Sequence, residues 1–260
     1  MRETAIADFP RWMPADAGIE RYRYMNIAIL MAGGDGRRMQ SEVPKQFLKI
    51  NGRTLLSYSL EVMLQHPYVD SVEIVAQRKF QAMVLAEIRE LYPMFLTKFH
   101  GFAEPGKTRQ LSVFNALHEL EGYAKDDDFI ILQDASRPLV SENLVTNTLM
   151  GARGHDGAIA MVPVKDPVFS VASNGRTVLK RAKGDYLGTA QTPEVFLFGK
   201  YLEANRDMDV DTIMSVEDAA EPALFAGLDI VAMEGKERNF NVATQRDLKL
   251  FMKYISRKGS

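Results

Sequence analysis

The chain has 260 residues, a formal net charge of −2 and no cysteine. That balance excludes disulfides, thiolate metal sites and a cysteine nucleophile, and it argues against nucleic acid as a partner. Hydrophobic content of 46% with 25% charged residues suits a soluble globular protein of one large α/β domain or two small ones. No run of about 18 apolar residues marks a membrane span, and the N-terminus lacks an apolar signal core, so the expected location is cytoplasmic.

Residues 1–24 show no clear period and hold Trp12, the only tryptophan. Two readings stay open: an extension upstream of a start at Met25, or a docking arm that buries Trp12. The next stretch, Asn26 to Gln46, organises the rest. Ile27-Ala28-Ile29-Leu30-Met31 has the length of a buried strand, and Ala32-Gly33-Gly34-Asp35-Gly36 follows at once. Glycines there let backbone N–H groups approach phosphate oxygens that a Cβ would keep away. Arg37, Arg38 and Pro44-Lys45-Gln46 come next, so a strand, a glycine turn and three cations point to a polyanion site, most often nucleotide phosphates. The dinucleotide fingerprint does not fit, because Met39 stands where its last glycine belongs and no acid follows at ribose distance. Pro44 fixes the chain before Lys45. Arg37 reads as solvated and Arg38 as the site arginine.

Leu55 to Leu64 has helical apolar spacing and ends at His66-Pro67; Ser71 to Ala76 reads as a strand and Phe80 to Tyr92 as a helix stopped by Pro93. A weak strand is expected near Phe95 to Phe99. Gly101 to Thr108 is a literal G-x-x-x-x-G-K-[ST] match, which with Asp134 spells a P-loop nucleotide hydrolase. Against it, Leu96 to His100 is poorly apolar for the strand such a loop follows, and Gly33 to Lys45 is left unexplained. A helix spans Arg109 to Leu120, with Ser112 facing back to the loop. Phe129 to Leu132 is a buried strand that delivers Asp134 to the sheet's C-terminal edge, where open α/β folds place ligands. A carboxylate there is a natural Mg²⁺ ligand; a helix cap is its plain alternative.

Ala158 to Pro163 is a further strand. Val168 to Val171 and Thr177 to Lys180 flank Ser173-Asn174-Gly175, a hairpin signal. An exposed hairpin seeks a partner, so a homodimer built on it is expected. Gln191-Thr192-Pro193-Glu194 reads as a polar turn before a helix over Val195 to Asn205. Leu228 to Met233 is a strand, and Asn239 to Val242 leads into a last helix, Thr244 to Ile255. The four histidines, at 66, 100, 118 and 155, form no ligand spacing.

Ala32-Gly33-Gly34…Arg38-Met39…Pro44-Lys45-Gln46, Gly106…Arg109…Ser112-Val113, Asp134-Ala135-Ser136-Arg137-Pro138, Pro163-Val164-Lys165-Asp166 and Gln191-Thr192-Pro193 stand in order between about 25 and 255. Together they resemble the 2-C-methyl-D-erythritol 4-phosphate and ribitol-5-phosphate cytidylyltransferase family. The resemblance implies a Rossmann-like α/β nucleotidyltransferase fold: a mostly parallel central sheet, helices on both faces and a projecting β-hairpin arm. It divides the chain into an N-terminal extension (1–24) and a nucleotidyltransferase domain (25–260) with the arm at 165–190. It also implies CTP and a polyol phosphate as substrates, Mg²⁺ as cofactor, and a CDP-polyol and pyrophosphate as products.

Residue by residue, the resemblance assigns Lys45, Arg38 and Asp134 to catalysis, with Asp134 on the metal. Ala32, Gly33, Gly34, Gly36, Gly106, Arg109, Ser112 and Ala135 fall to the nucleotide, Gly106 and Ser112 toward the cytosine. Arg181, Thr192, Asp166 and Asn241 fall to the acceptor. Three blocks depart from the pattern. Asp166-Pro167 lacks the family's threonine hydroxyl, Val216-Glu217-Asp218-Ala219 lacks its Thr-Asp start, and Asn241 replaces a lysine expected near the acceptor phosphate. Besides the hydrolase, the loss at Asn241 admits a catalytically silent nucleotide-binding relative.

Overall fold

The structure is a computed structural model that describes residues 24–34, 43–182 and 187–257. Its first half runs β1 (Asn26–Met31), β2 (Lys49–Ile50), β3 (Arg53–Thr54), α1 (Leu55–Gln65), β4 (Ser71–Val75), α2 (Arg78–Leu91), β5 (Phe99–Ala103), α3 (Arg109–Glu119) and β6 (Phe129–Asp134). The second half runs α4 (Glu142–Gly151), β7 (Gly157–Pro163), β8 (Phe169–Val171), β9 (Val178–Arg181), β10 (Gly188–Leu197), α5 (Phe198–Arg206), α6 (Val210–Ser215), α7 (Ala220–Phe225), β11 (Ile230–Glu234) and α8 (Gln245–Ser256).

Seven strands form one sheet in the order β11-β7-β10-β6-β1-β4-β5. All neighbours are parallel except β10, which runs antiparallel to both β6 and β7. Alternation along each strand sorts side chains to two apolar layers. Ala28, Leu30 and Ile131 pack against α1, α2 and α4 through Leu56, Leu60, Val84, Ile88, Leu144 and Leu149. Ile27, Ile29, Ile130 and Leu132 pack against α3, α5 and α7 through Val113, Ala116, Tyr201 and Ala223. The expected α/β class, with helices on both faces and a hairpin outside the main sheet, is what is found.

Three expectations need correction. Val195-Phe196-Leu197 is not the start of a helix. It is the end of β10, paired to β6 and β7, with Val195 and Phe196 fully buried. A short apolar run fits a buried strand and a buried helix equally, and only its partners decide. Gln191 to Glu194 is likewise not a turn but a register shift within β10, where Pro193 removes a ladder donor. The weak strand near 95–99 is a 3-10 turn, Pro93–Lys98, with Pro93 at its first position; the strand begins at Phe99. Two helices come in addition to the expected elements: Glu142–Gly151, capped by the Ser141 side chain accepting from Leu144 N, and the short α6.

Asn51 and Gly52 take positive φ, 51° and 87°, and turn β2 into β3. This small ribbon sets Leu55 and Ile50 against Val242 and Phe251 of the C-terminal segment. Residues 239–243 are thereby held opposite the end of β1. Among the described residues no helix is long and apolar enough to cross a membrane.

Candidate active site

The C-terminal ends of β1 and β6, the start of α3 and the 241–243 segment surround one cleft of about 830 Å³, room enough for a nucleotide. Met31, Gly33, Gly34, Lys45, Asp134 and Asn241 are on its wall. Two glutamines shape the glycine turn. Gln46 Nε2 donates to Ala32 O at 2.7 Å and Gly34 O at 2.6 Å, and Gln77 Nε2 to Gly33 O at 3.5 Å. A trans peptide then sends the Gly33 and Gly34 N–H groups away from the glutamines. A Cβ at Gly33 would lie 2.4 Å from Pro105 Cβ, so glycine is required where the β1 turn meets the α3 loop. Gly36, Arg37 and Arg38 lie outside the described residues.

The α3 loop is closed on itself. Thr108 Oγ1 caps the helix by accepting from Leu111 N. Ser112 Oγ accepts from Gly106 N at 2.9 Å and donates to Thr108 O at 2.8 Å. Gly106 N–H is thus held by the Ser112 oxygen and the Ser112 proton by Thr108 O, and both residues, expected at the cytosine, line the cleft. Gly101 to Ala103 is edge strand β5, paired with β4. The P-loop match therefore does not form a loop between a central strand and a helix, and the hydrolase reading loses its structural basis.

Asp134 closes the opposite wall. Arg109 Nη2 donates to its Oδ1 and Arg137 Nε to its Oδ2, both at 3.3 Å. Arg109 also donates to Glu194 Oε2 at 3.1 Å. Burial opposes ionisation of Asp134, but the two guanidiniums outweigh it and hold the carboxyl below its usual range. Burial pushes Glu194 up to about 7; Arg109 opposes this, and the Asp218 and Asp134 carboxylates add to it. Arg109, itself penalised by burial, is held charged by both carboxylates. Asp134 is thus no helix cap, since Ser141 caps α4.

The donor set fits Mg²⁺ as that ion meets nucleotides, one carboxylate plus substrate phosphates. Asp134 stays ionised, and each oxygen has accepted one hydrogen bond and keeps acceptor capacity. Among the described residues no group of three or more His, Cys, Asp or Glu could hold a metal alone. His66 is buried, with Nε2 3.2 Å from Glu142 O and 3.0 Å from Thr146 Oγ1, remote from the cleft.

Several residues matched by motif sit elsewhere than expected. Ala135 is fully buried, its N–H donated to Met31 O, so it cannot touch a nucleotide; its neighbour Ser136 faces the cleft instead. Thr192 is 2% exposed and its Oγ1 accepts from Asp134 N at 3.1 Å, so it orients Asp134 rather than an acceptor phosphate. Arg109 does line the cleft, where it is paired with Asp134 and Glu194. Asp166 and Arg181 are exposed, the latter at the end of β9, and neither lines the cleft. Gln46, Gln77, Arg137 and Glu194 are structural partners that no sequence argument assigned. Arg137, within the Asp-Ala-Ser-Arg-Pro block, and Gln46, within Pro44-Lys45-Gln46, stand in blocks that carried the resemblance.

The family model of IspD, 2-C-methyl-D-erythritol 4-phosphate cytidylyltransferase, matches residues 26–257. The chain belongs to the 2-C-methyl-D-erythritol 4-phosphate cytidylyltransferase family. It is 30% identical to the enzyme of that name from Geobacter metallireducens over 89% of this chain and 98% of that protein. It is 27% identical to a ribitol-5-phosphate cytidylyltransferase from Lacticaseibacillus paracasei over 90% and 99%. The crystal structure of the Francisella tularensis family member superposes with a TM-score of 0.72 at 26% identity, over 87% of this chain and 98% of that one. The family is one of nucleotidyltransferases, as the ordered motif blocks implied.

Proposed function

We propose that this chain transfers the cytidylyl group of CTP to the phosphate of a sugar alcohol. An acceptor phosphate oxygen attacks the α-phosphorus, a new P–O bond forms, and the bond to the β-phosphate oxygen breaks, releasing pyrophosphate. Both reactants are anions, so fixed positive charge and oriented donors matter more here than an acid–base pair. The observation that carries the reading is the convergence of the glycine turn, Lys45 and Asp134 on one cleft. Lys45 contacts the α-phosphate as charge grows on its equatorial oxygens, and Arg38 shares the triphosphate with the glycine amides. Asp134 is the residue that would hold Mg²⁺, which when bound supplies charge neutralisation to the phosphate oxygens.

The two relatives named above differ in acceptor, one named for methylerythritol phosphate and the other for ribitol phosphate. The test is a pyrophosphate-release screen with each of four nucleoside triphosphates, Mg²⁺, and a panel of phosphorylated polyols and sugars. CTP with one polyol phosphate is expected to stand out. Binding of CTP with no release on any acceptor would leave a silent relative as the better account.

A homodimer in the cytoplasm completes the proposal. Phe169, Val171, Val178 and Leu179 of the hairpin are exposed, Val178 and Leu179 each by 62%. Exposed apolar side chains on an arm favour a second copy as cover. Arg181, being outside its own cleft, would then serve the acceptor of the neighbouring copy. Val178→Ser with Leu179→Ser is expected to yield monomers by light scattering, with a melting temperature unchanged in the sheet domain. A dimer that survives this pair of changes would remove the arm from the interface.

A further inference from the structure

Asn241, which replaces the family's lysine, meets the Lys45 ammonium across 196 positions of chain, with Nζ donating to Oδ1 at 3.0 Å. Both side chains rise from clamped backbone. Beside Lys45, Gln46 is buried against the Ala32 and Gly34 carbonyls, and Phe47 stacks on Phe80 at 4.3 Å. Beside Asn241, Asn239 Nδ2 donates to Thr192 O at 2.8 Å, and Arg137 Nη1 donates to Asn239 O at 2.9 Å. Val242, fully buried, donates its N–H to Ser136 O at 2.8 Å. A contact between two rigid segments is built by the fold and reproduces its geometry on every turnover.

The chemistry of the pair is directional. An ammonium has three donors and no acceptor. Asn241 Oδ1, a neutral oxygen, holds one of these donors and so orients the ammonium without itself neutralising it. A lysine at 241 would instead set a like charge against Lys45 and disfavour the charged form of both. Asn241 lines the cleft, and among the described residues its amide nitrogen has no hydrogen-bond partner.

We propose that Asn241 is a positioning residue for Lys45: its amide oxygen sets the direction of the ammonium, and its amide nitrogen offers the acceptor phosphate a neutral donor where the family pattern has a cation. The inference rests on the cytidylyl-transfer reading and deepens it on the acceptor side.

The test is a double-mutant cycle of Asn241→Leu and Lys45→Ala, with Asn241→Ala as a second truncation and Asn241→Asp as the variant that keeps the acceptor oxygen. It is read in kcat/KM for CTP and in calorimetric CTP affinity. Melting temperatures within about 2 °C of the parent establish that each variant folds. A hydrogen bond to a charged group predicts a loss of about tenfold or more from Asn241→Leu when Lys45 is present. When Lys45 is alanine the same change is expected to cost less than about twofold in CTP affinity, where no acceptor is present and the partner is gone. Asn241→Asp is expected to keep kcat within about threefold while raising KM for the acceptor phosphate, which then faces a second anion.

Equal losses from Asn241→Leu in both backgrounds would overturn the proposal, and so would an Asn241→Asp variant as slow as Asn241→Leu. If the parent binds CTP but releases no pyrophosphate with any acceptor, the transfer reading fails by itself. The cycle in CTP affinity still decides whether Asn241 acts through Lys45.

Discussion

Lys45→Ala is expected to lower pyrophosphate release from CTP by about a hundred- to a thousandfold, the cost of one lost transition-state contact. The size follows from where the ammonium is. Pro44 leads into a 3-10 turn whose Gln46 and Phe47 are buried, so the Lys45 backbone cannot drift to make room for a substitute. Its side chain ends on the cleft wall, in reach of the space between the glycine turn and Asp134. An acceptor phosphate and a triphosphate repel each other there, and a half-buried, fixed cation acts on both at once. Lys107 provides the contrast. It stands at the rim, exposed, before the first turn of α3. Lys107→Ala is expected to stay within about threefold of the parent, since an exposed charge is screened by solvent. Initial rates at saturating CTP, for both variants side by side, check the pair. The opposite ranking would return the Gly-Lys-Thr match to the centre of the mechanism.

Much of the site's framework was legible because its signals are local. Ile27 to Met31 is an apolar run closed by glycines, and Phe129 to Leu132 is another closed by Asp134; both became adjacent parallel strands whose ends meet in the cleft. The last helix, expected from Thr244 to Ile255, runs Gln245–Ser256 behind a capping box of Thr244 and Asp247. What was not legible depends on neighbours distant in sequence. Val195 to Leu197 became strand because β6 and β7 offered it two partners. Ala135 and Thr192 match motif positions, yet a motif gives residue type and place, not the direction of a side chain. One is sealed under the β1 turn and the other accepts from the Asp134 backbone. Glu194 sits beside them as the second anion on Arg109, and nothing in its sequence surroundings announces that role. Asn241 is the converse case. Its departure from the pattern that the resemblance implies was visible in the sequence, but the contact of its amide oxygen with the Lys45 ammonium needed the fold.

Glu73→Gln is expected to stabilise the protein at pH 8.5 and to change it little at pH 4.5. Glu73 lies in the middle of β4, between Ile29 of β1 and Gly101 of β5. Strand alternation sends it, like Val75, to the face covered by α3. It is 1% exposed, and its Oε2 has no hydrogen-bond partner among the described residues. Burial pushes the carboxyl up to about 8, and the Glu119 carboxylate at the end of α3 adds to that. The sign follows from proton counting. With the folded value above the unfolded one, the native state binds more protons between about pH 4.5 and 8, so stability falls as pH rises through that window. Above it the native protein carries a buried, unpaired carboxylate. The full displacement corresponds to roughly 4 to 5 kcal/mol, an order-of-magnitude figure at about 1.4 kcal/mol for each pH unit. Glutamine keeps the shape and cannot ionise, so that loss is absent from the variant, and any cost of burying its amide is the same at both pH values. Urea denaturation of parent and variant at the two pH values measures the difference directly. A gap between them that does not widen with pH would mean that Glu73 ionises freely within the sheet, with water or a neighbour meeting its charge.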